Sequence, residues 1–362
     1  MAIKNQASLL AQLWDNDSGK LNVLRFSLRL LSWVYALVIR LRLWLYQKGW
    51  LAQKRVPCHV VSIGNITTGG TGKTPMTLYL AEEWQKRGYK VGIVSRGYRR
   101  KNKTPLVLVT DGTTIFATPD DVGDEPYLMA KRLEGVAIVV CADRFKACET
   151  LIHRFAVDVI LLDDAFQHLK MHRDQNILII DATKPFGNGH LLPCGPLREP
   201  LSAIKRSDCV IFSRVAKETA MHAMIQGVAP YQPQILQSCF ETIGIIDLKT
   251  DEIFAPEVLS GKSVVPFCGI GNPDAFLSQL RDLGTNLCAA HIFEDHHDYK
   301  KSDLETIINS KDKKNDTWIV TTEKDAVKIK ALMTETTKIY ALRIGPVFKK
   351  GSENMLERLF EQ

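Results

Sequence analysis

The sequence predicts an α/β protein with a P-loop NTPase-like core: a mostly parallel sheet flanked by helices, a smaller second α/β lobe, and an N-terminal amphipathic helix. Three observations carry this expectation. Residues 58–79, CHVVSIGNITTGGTGKTPMTLY, run from a β-branched strand through a glycine-rich loop into Gly72-Lys73-Thr74 at a helix start. Apolar segments recur downstream and alternate with helical stretches, the pattern of parallel strands buried on both faces. Residues 21–51 are strongly apolar, yet arginines recur there at helical spacing.

Composition sets the frame. A chain of 362 residues accommodates two domains with separate cores, and 45% hydrophobic with 24% charged residues excludes global disorder. The net charge of +7, from 47 basic and 40 acidic residues, is too small to indicate nucleic acid and suits another anionic partner. The eight cysteines form no C-x-x-C pair and sit mostly in apolar runs, as expected of reduced core thiols in a cytoplasmic protein. The expected organisation is an N-terminal helix region (1–50), a P-loop core (51–205) and a C-terminal lobe (206–362), with the hinge at 200–215 near the proline-rich HLLPCGPLREPLS (190–202).

In the N-terminal region the uncharged stretch 30–39 is only ten residues, against about 20 for a spanning helix. No small-residue cleavage site follows a basic start, so a signal peptide is not indicated. On a helical wheel Asn22, Arg25, Arg29, Ser32, Ala36, Arg40 and Gln47 share a narrow arc, and the leucines and valines fill the rest. Trp33, Trp44, Tyr46 and Trp50 suit a headgroup zone. A helix packed on its own domain is one reading; a cationic helix lying in an anionic membrane surface is the sharper one, because the apolar arc exceeds one docking face. Arg42 breaks the stripe.

The glycine-rich loop reads as a phosphate cradle. Gly69, Gly70 and Gly72 can take positive φ and leave the amides of 68–74 facing one point, at a helix start that adds partial positive charge. Thr68, Gly69, Gly70, Thr71, Gly72, Lys73 and Thr74 are therefore the nucleotide-binding candidates, Lys73 for the β/γ-phosphates and Thr74 for Mg2+. The strict motif asks for glycine at 67, where this chain has Thr67; the nearest upstream glycine is Gly64.

After a helix at 75–87, strands are expected at 91–94, 106–109, 137–140, 157–162 and 177–180, with helices near 126–132 and 144–153. A strand at 209–212 follows, then a long polar run, then strands at 264–268, 287–293, 318–320 and 339–342. Ligands in such folds collect at the carboxyl ends of the strands. There Asp163 and Asp164 close an apolar strand, suited to nucleotide-bound magnesium, with a cap on the next turn as the lesser reading of Asp164. Asp124 is either a helix cap or a general base for an attacking hydroxyl. Glu294 to Tyr299 concentrate titratable groups; adjacent His296 and His297 suggest zinc at first sight, but their spacing suits a histidine supporting a carboxylate base at least as well. Basic residues cluster at Arg96–Lys101, Arg144 and Arg198, and Lys324 and Lys328 face either ligand or water.

Taken in order, GNITTGGTGKTP (64–75), SRGYRRK (95–101), GDEPYL (123–128), DDAFQH (163–168), GPLRE (195–199), FCGIGNP (267–273), DHHDY (295–299) and TTEKDAVK (321–328) resemble the tetraacyldisaccharide 4′-kinase family of lipid A biosynthesis. The resemblance spans nearly the whole chain, and the family shares the displaced glycine. Arg99 departs from it, standing where the family commonly has glycine. It implies ATP- and Mg2+-dependent phosphorylation of the 4′-hydroxyl of tetraacyldisaccharide 1-phosphate at the cytoplasmic face of the inner membrane. It further implies Asp124 as base and His296 as its dyad partner, with Lys73 at the phosphates and Thr74, Asp163 and Asp164 around the metal. Arg96, Tyr98, Glu125, Arg144, His168, Arg198 and Glu199 are then expected near the substrate. A P-loop GTPase or metallochaperone is the alternative, but it would need a guanine-reading N-K-x-D, of which Thr322-Glu323-Lys324-Asp325 is only a partial echo.

Overall fold

The computed structural model describes Trp14 and residues 22–215, 218–311, 316–334 and 337–361. Of the expected N-terminal region 1–50, residues 1–13 and 15–21, and the side chains of Asn22, Val23, Leu24 and Arg25, lie outside the described residues.

In the first half, β1 (His59–Gly64), β2 (Val91–Ser95), β4 (Ala137–Cys141), β5 (Val159–Asp163), β6 (Gln175–Asp181) and β7 (Cys209–Ser213) pair in parallel. Only β3 (Leu106–Thr110) runs antiparallel, on β4. The strands β2, β4, β5 and β7 are buried at every position, which is why they read as continuous apolar runs rather than alternating ones. The second half contains β10 (Ser263–Cys268), β13 (Thr317–Thr322) and β14 (Tyr340–Phe348), again parallel.

One ribbon joins the halves. Strand β8 (Gln234–Asp247) pairs in parallel with β7 through residues 234–237, then antiparallel with β14 over the rest of its length. The sheet is therefore continuous, in the order β11 (Asn286–Leu287), β10, β13, β14, β8, β7, β6, β1, β5, β2, β4, β3, with the short β9 (Ile253–Phe254) antiparallel to β8. The sequence reading took this segment for a polar run, because QILQSCFETIGIID buries alternate positions only in part and presents polar side chains at many of the others. The strand expected at 287–293 is instead two short pieces, β11 (Asn286–Leu287) and β12 (His291–Ile292), which pair with opposite ends of β10.

Helices cover both faces. The long α1 (Asn22–Gln47) precedes β1, and α2 (Lys73–Lys86) leaves the glycine-rich loop. Helix α3 (Asp124–Arg132) starts after Gly123, whose φ of 91° and close approach to the Tyr98 carbonyl (2.7 Å from a Cβ built there) leave no room for a side chain. Helix α4 (Arg144–Phe155) is capped by Asp143, which accepts from the amides of Phe145 and Lys146. In the second half α5 (Glu218–Val228), α6 (Pro273–Asp282), α7 (Lys301–Asn309) and α8 (Glu323–Ile329) complete the layers.

Helix α1 docks by one face. Ser32 Oγ donates to the Leu191 carbonyl, Tyr35 Oη to the Arg198 carbonyl and Arg42 to the Gln167 carbonyl. The opposite face is apolar and exposed: Phe26 73%, Trp33 77% and Leu37 67%, continued by Leu30, Val34 and Leu41. Two expectations change accordingly. Ser32 belongs to the docking face rather than to an exposed polar stripe, and Arg42 points into the molecule to bind a carbonyl. Arg29 and Arg40 do remain exposed along one flank of the apolar face.

Candidate active site

The candidate side chains sit at the carboxyl ends of strands from both halves. From β1 the chain enters the glycine-rich loop, where Gly69 (φ 106°) and Gly72 (φ 86°) take positive φ and Gly70 does not. The motif's displaced glycine has a packing origin. A Cβ on Gly64 would lie 2.6 Å from Phe166 Cβ and 2.7 Å from its amide nitrogen, so Gly64 lets β1 pass the chain leaving β5. Thr67 is buried and bridged to Leu197, and the Thr68 amide donates to the Pro196 carbonyl at 2.8 Å. The early part of the loop is thus tied to segment 195–198, which leaves the cradle to 69–74.

Lys73 begins α2 and lies 3.6 Å from Asp164, whose two carboxylate oxygens both accept from Arg198 Nη1 at 3.1 Å. Asp164 is in the left-handed region (φ 47°), so it turns the chain after β5, and although burial pushes its carboxyl up, Lys73 and Arg198 hold it below the usual range. Asp163 is the opposite case. Burial first, then Glu125 and Asp164, push its carboxyl up to about 7; Ser95 donates to one oxygen at 3.1 Å, and the other, Oδ1, is buried without a partner. A carboxylate oxygen left bare among other carboxylates is a fit for a divalent cation, with the Thr74 hydroxyl available at the helix start. Among the described residues no three His, Cys, Asp or Glu side chains form a metal cage, so a cation here would complete its shell with phosphate oxygens and water.

The second cluster surrounds Asp124. Gly123 occupies the helix cap, which frees the Asp124 side chain: His296 Nδ1 lies 3.0 Å and Lys328 Nζ 2.8 Å from the same oxygen, Oδ2. On its far side His296 Nε2 meets Lys324 Nζ at 3.0 Å. An ammonium has only protons to give, so Nε2 accepts, and the remaining proton sits on Nδ1 and is donated to Asp124. Burial pushes the Asp124 carboxyl up, but the His296 and Lys328 bonds outweigh it and hold it below the usual range. Lys324 also pairs with Glu125 (3.4 Å) and Asp295 (3.3 Å). His296 itself is left-handed (φ 62°), and its amide donates to Gly269, so β10 and β12 aim it across at α3. His297 turns elsewhere, to Asp303 at 3.1 Å and against the Phe293 ring, so the histidine pair does not converge on one metal.

Both clusters open on one cavity of about 390 Å³. Arg96, Tyr98, Asp124, Glu125, Asp163, Asp164, Arg198 and His296, all expected from sequence, line it. Ser95, Gln167 and Leu192 do so too, and α1 contributes Tyr35, Ile39 and Arg42. Three expected substrate residues are not brought to it. Arg144 is buried, bound to the Cys141 and Asp163 carbonyls, and props the end of β5. Glu199 is buried in an ion pair with Arg206. His168 is held by burial, and by Arg144, Arg173 and Arg42, down to about 4, and so stays neutral. The sequence leaves Lys324 and Lys328 open between ligand and water; their four-residue spacing, which puts both on one helix face, is the available signal, and the structure pairs them with Glu125 and Asp124.

Comparison with known proteins places the chain in a family. A sequence model of the family described as Tetraacyldisaccharide-1-P 4'-kinase matches residues 24–361. The chain belongs to that family. A tetraacyldisaccharide 4'-kinase of Desulfatibacillum aliphaticivorans is 39% identical over 330 residues, covering 90% of this chain and 89% of the relative. One from Syntrophus aciditrophicus is 36% identical over 88% of each chain. A crystal structure of LpxK from Aquifex aeolicus, in complex with ATP, superposes with a TM-score of 0.74 at 32% identity, covering 93% of this chain and all of that one. The chain is accordingly a kinase of the tetraacyldisaccharide-1-P 4'-kinase family with the mostly parallel, helix-flanked sheet expected. The partial guanine motif at 322–325 is taken up structurally: Thr322 caps α8, Glu323 pairs with Arg132 and Arg343, and Asp325 accepts from the Gly269 amide. Among the described residues no helix is long and apolar enough to cross a membrane.

Proposed function

We propose that the protein transfers the γ-phosphoryl group of ATP, in line, to the 4′-hydroxyl of tetraacyldisaccharide 1-phosphate in lipid A biosynthesis. Asp124 is the general base, and α1 rests in the cytoplasmic surface of the inner membrane. The observation that carries this is the shared cavity: Asp163 and Asp164, the latter paired with Lys73, the clamped Asp124 and the docked face of an otherwise exposed apolar helix border one space. An acylated sugar needs such a site, with its chains along α1 and its hydroxyl at Asp124.

Phosphoryl transfer asks mainly for positioning and neutralised charge. Lys73 and the amides of 69–74 bind the nucleotide's phosphates, and Thr74 with Asp163 would hold Mg2+. The metal, when bound, neutralises charge on the transferring group. Asp124 Oδ2 is fixed by two donors, which leaves Oδ1 to accept the hydroxyl proton. His296 Nδ1–H and the Lys328 ammonium hold the carboxylate in place and ionised, and Arg96, Tyr98, Glu125 and Arg198 orient the sugar. In this account residues 51–205 supply the nucleotide half, and residues 206–362 supply His296, Lys324 and Lys328.

Single-turnover kinetics with purified lipid acceptor test the base. Asp124→Asn is expected to lower the rate about 10²–10⁴-fold while nucleotide affinity stays within a few-fold of wild type. A rate within threefold of wild type removes Asp124 from the role.

A further inference from the structure

The glycine-rich loop lacks the upstream glycine of the strict motif, yet its peptide planes are fixed from behind by the end of β7. Ser213 Oγ, itself buried, donates to the Thr71 carbonyl at 2.8 Å, and Arg214 Nη1 donates to the Gly70 carbonyl at 2.8 Å. The C=O and N–H of one planar peptide point in opposite directions, so holding these two carbonyls turns the amides of Thr71 and Gly72 away from β7. Arg214 is held in turn. Its guanidinium pairs with Asp181 at the end of β6, and its backbone takes the left-handed conformation (φ 57°) that brings the side chain back over the loop. Phe240 on β8 closes the rear: a Cβ on Gly72 would overlap its ring. None of Asp181, Ser213, Arg214 and Phe240 lines the cavity that holds Asp124.

We propose that Ser213, Arg214 and Asp181 form a carbonyl clamp that shapes the phosphate loop for a nucleoside triphosphate, and that Arg214 is a positioning residue for nucleotide binding. The inference rests on the reading that this loop binds ATP. In the sequence the same segment, 200–215, presents itself only as a hinge. A clamp of backbone carbonyls acts on the nucleotide and not on the lipid, so its signature is a split between the two substrates. Each bond is charge-assisted or buried, and its loss costs about tenfold in affinity.

Binding of a fluorescent ATP analogue to the full chain, followed by anisotropy without lipid, tests this alongside the KM for each substrate. Arg214→Met is expected to raise the analogue's Kd about tenfold or more, with lipid KM and melting temperature nearly unchanged, and Arg214→Lys to recover part of the loss. Ser213→Ala, which leaves the Arg214–Asp181 pair intact, is expected to raise Kd about threefold to tenfold. Wild-type binding with Arg214→Met within twofold of it overturns the clamp alone. Parallel rises in both KM values with a lower melting temperature overturn it in favour of general destabilisation, and a wild-type chain that binds no nucleotide overturns both the clamp and the ATP reading.

Discussion

At the scale of single residues the site separates two carboxylates by their surroundings. Asp124, held low by His296 and Lys328, is ionised throughout the neutral range, so the acid limb of the kcat–pH profile should fall below the ordinary aspartate value of about 3.9. The group's folded pKa is depressed; its contribution is present above the ordinary value and is lost as pH falls through the folded one. Lys328→Met removes one of the two donors, and the acid limb should move up toward neutrality; a profile unmoved by that change would contradict the proposed role of Asp124 or the action of Lys328 on it. Gly64 is a packing residue. Gly64→Ala puts a methyl 2.6 Å from Phe166 Cβ and should cost about 1–3 kcal/mol in a denaturant titration. Lys73 stood out in the sequence as a candidate because it closes a glycine-rich loop at a helix start, whereas Asp124 and His296 became candidates for one pair only through the family resemblance. Arg144 and Glu199 looked the same and proved buried supports, because residue type beside a strand end does not say which way a side chain points. Arg99 gives the reverse lesson: at φ 57° it takes the conformation glycine takes easily, and its guanidinium reaches the Asp295 carbonyl at 2.9 Å.

Among elements, α1 was the most distinctive in sequence and the least determined. Its amphipathicity was plain, but Ser32 and Arg42 face the body and not the solvent, because backbone carbonyls at 167, 191 and 198 need donors. What remains outside is a broad apolar face with no covering among the described residues, more than a surface helix ordinarily exposes. Trp33→Glu with Leu37→Glu should therefore weaken sedimentation with anionic vesicles at least tenfold, while melting temperature changes little, both sites being exposed. Undiminished sedimentation would contradict the anchoring role. Strand β8 was missed for a related reason: a ribbon exposed along part of both faces has no strong period to find.

For the whole molecule, the alternation of strands and helices predicted the layers, and the carboxyl-end rule is what singles out the candidate site. What sequence could not give was the meeting of the halves: Asp124 and His296 are 172 residues apart and touch only because β8 carries the sheet from one half into the other. Concentrating so much negative charge has a cost in the metal-free protein. Asp163, raised to about 7, is destabilising once ionised, a penalty that grows as pH rises from about 4 and is complete above 7. Asp163→Asn should raise the melting temperature at pH 8 in chelator, have little effect at pH 4, and abolish turnover. The central claim, that the two clusters form one lipid-kinase site, is tested most directly by ATP turnover with and without purified tetraacyldisaccharide 1-phosphate. The account predicts turnover that requires the lipid and falls at least a hundredfold in both Lys73→Ala and Asp124→Ala. Lipid-independent ATP hydrolysis, or near-normal turnover in Asp124→Ala, would contradict it.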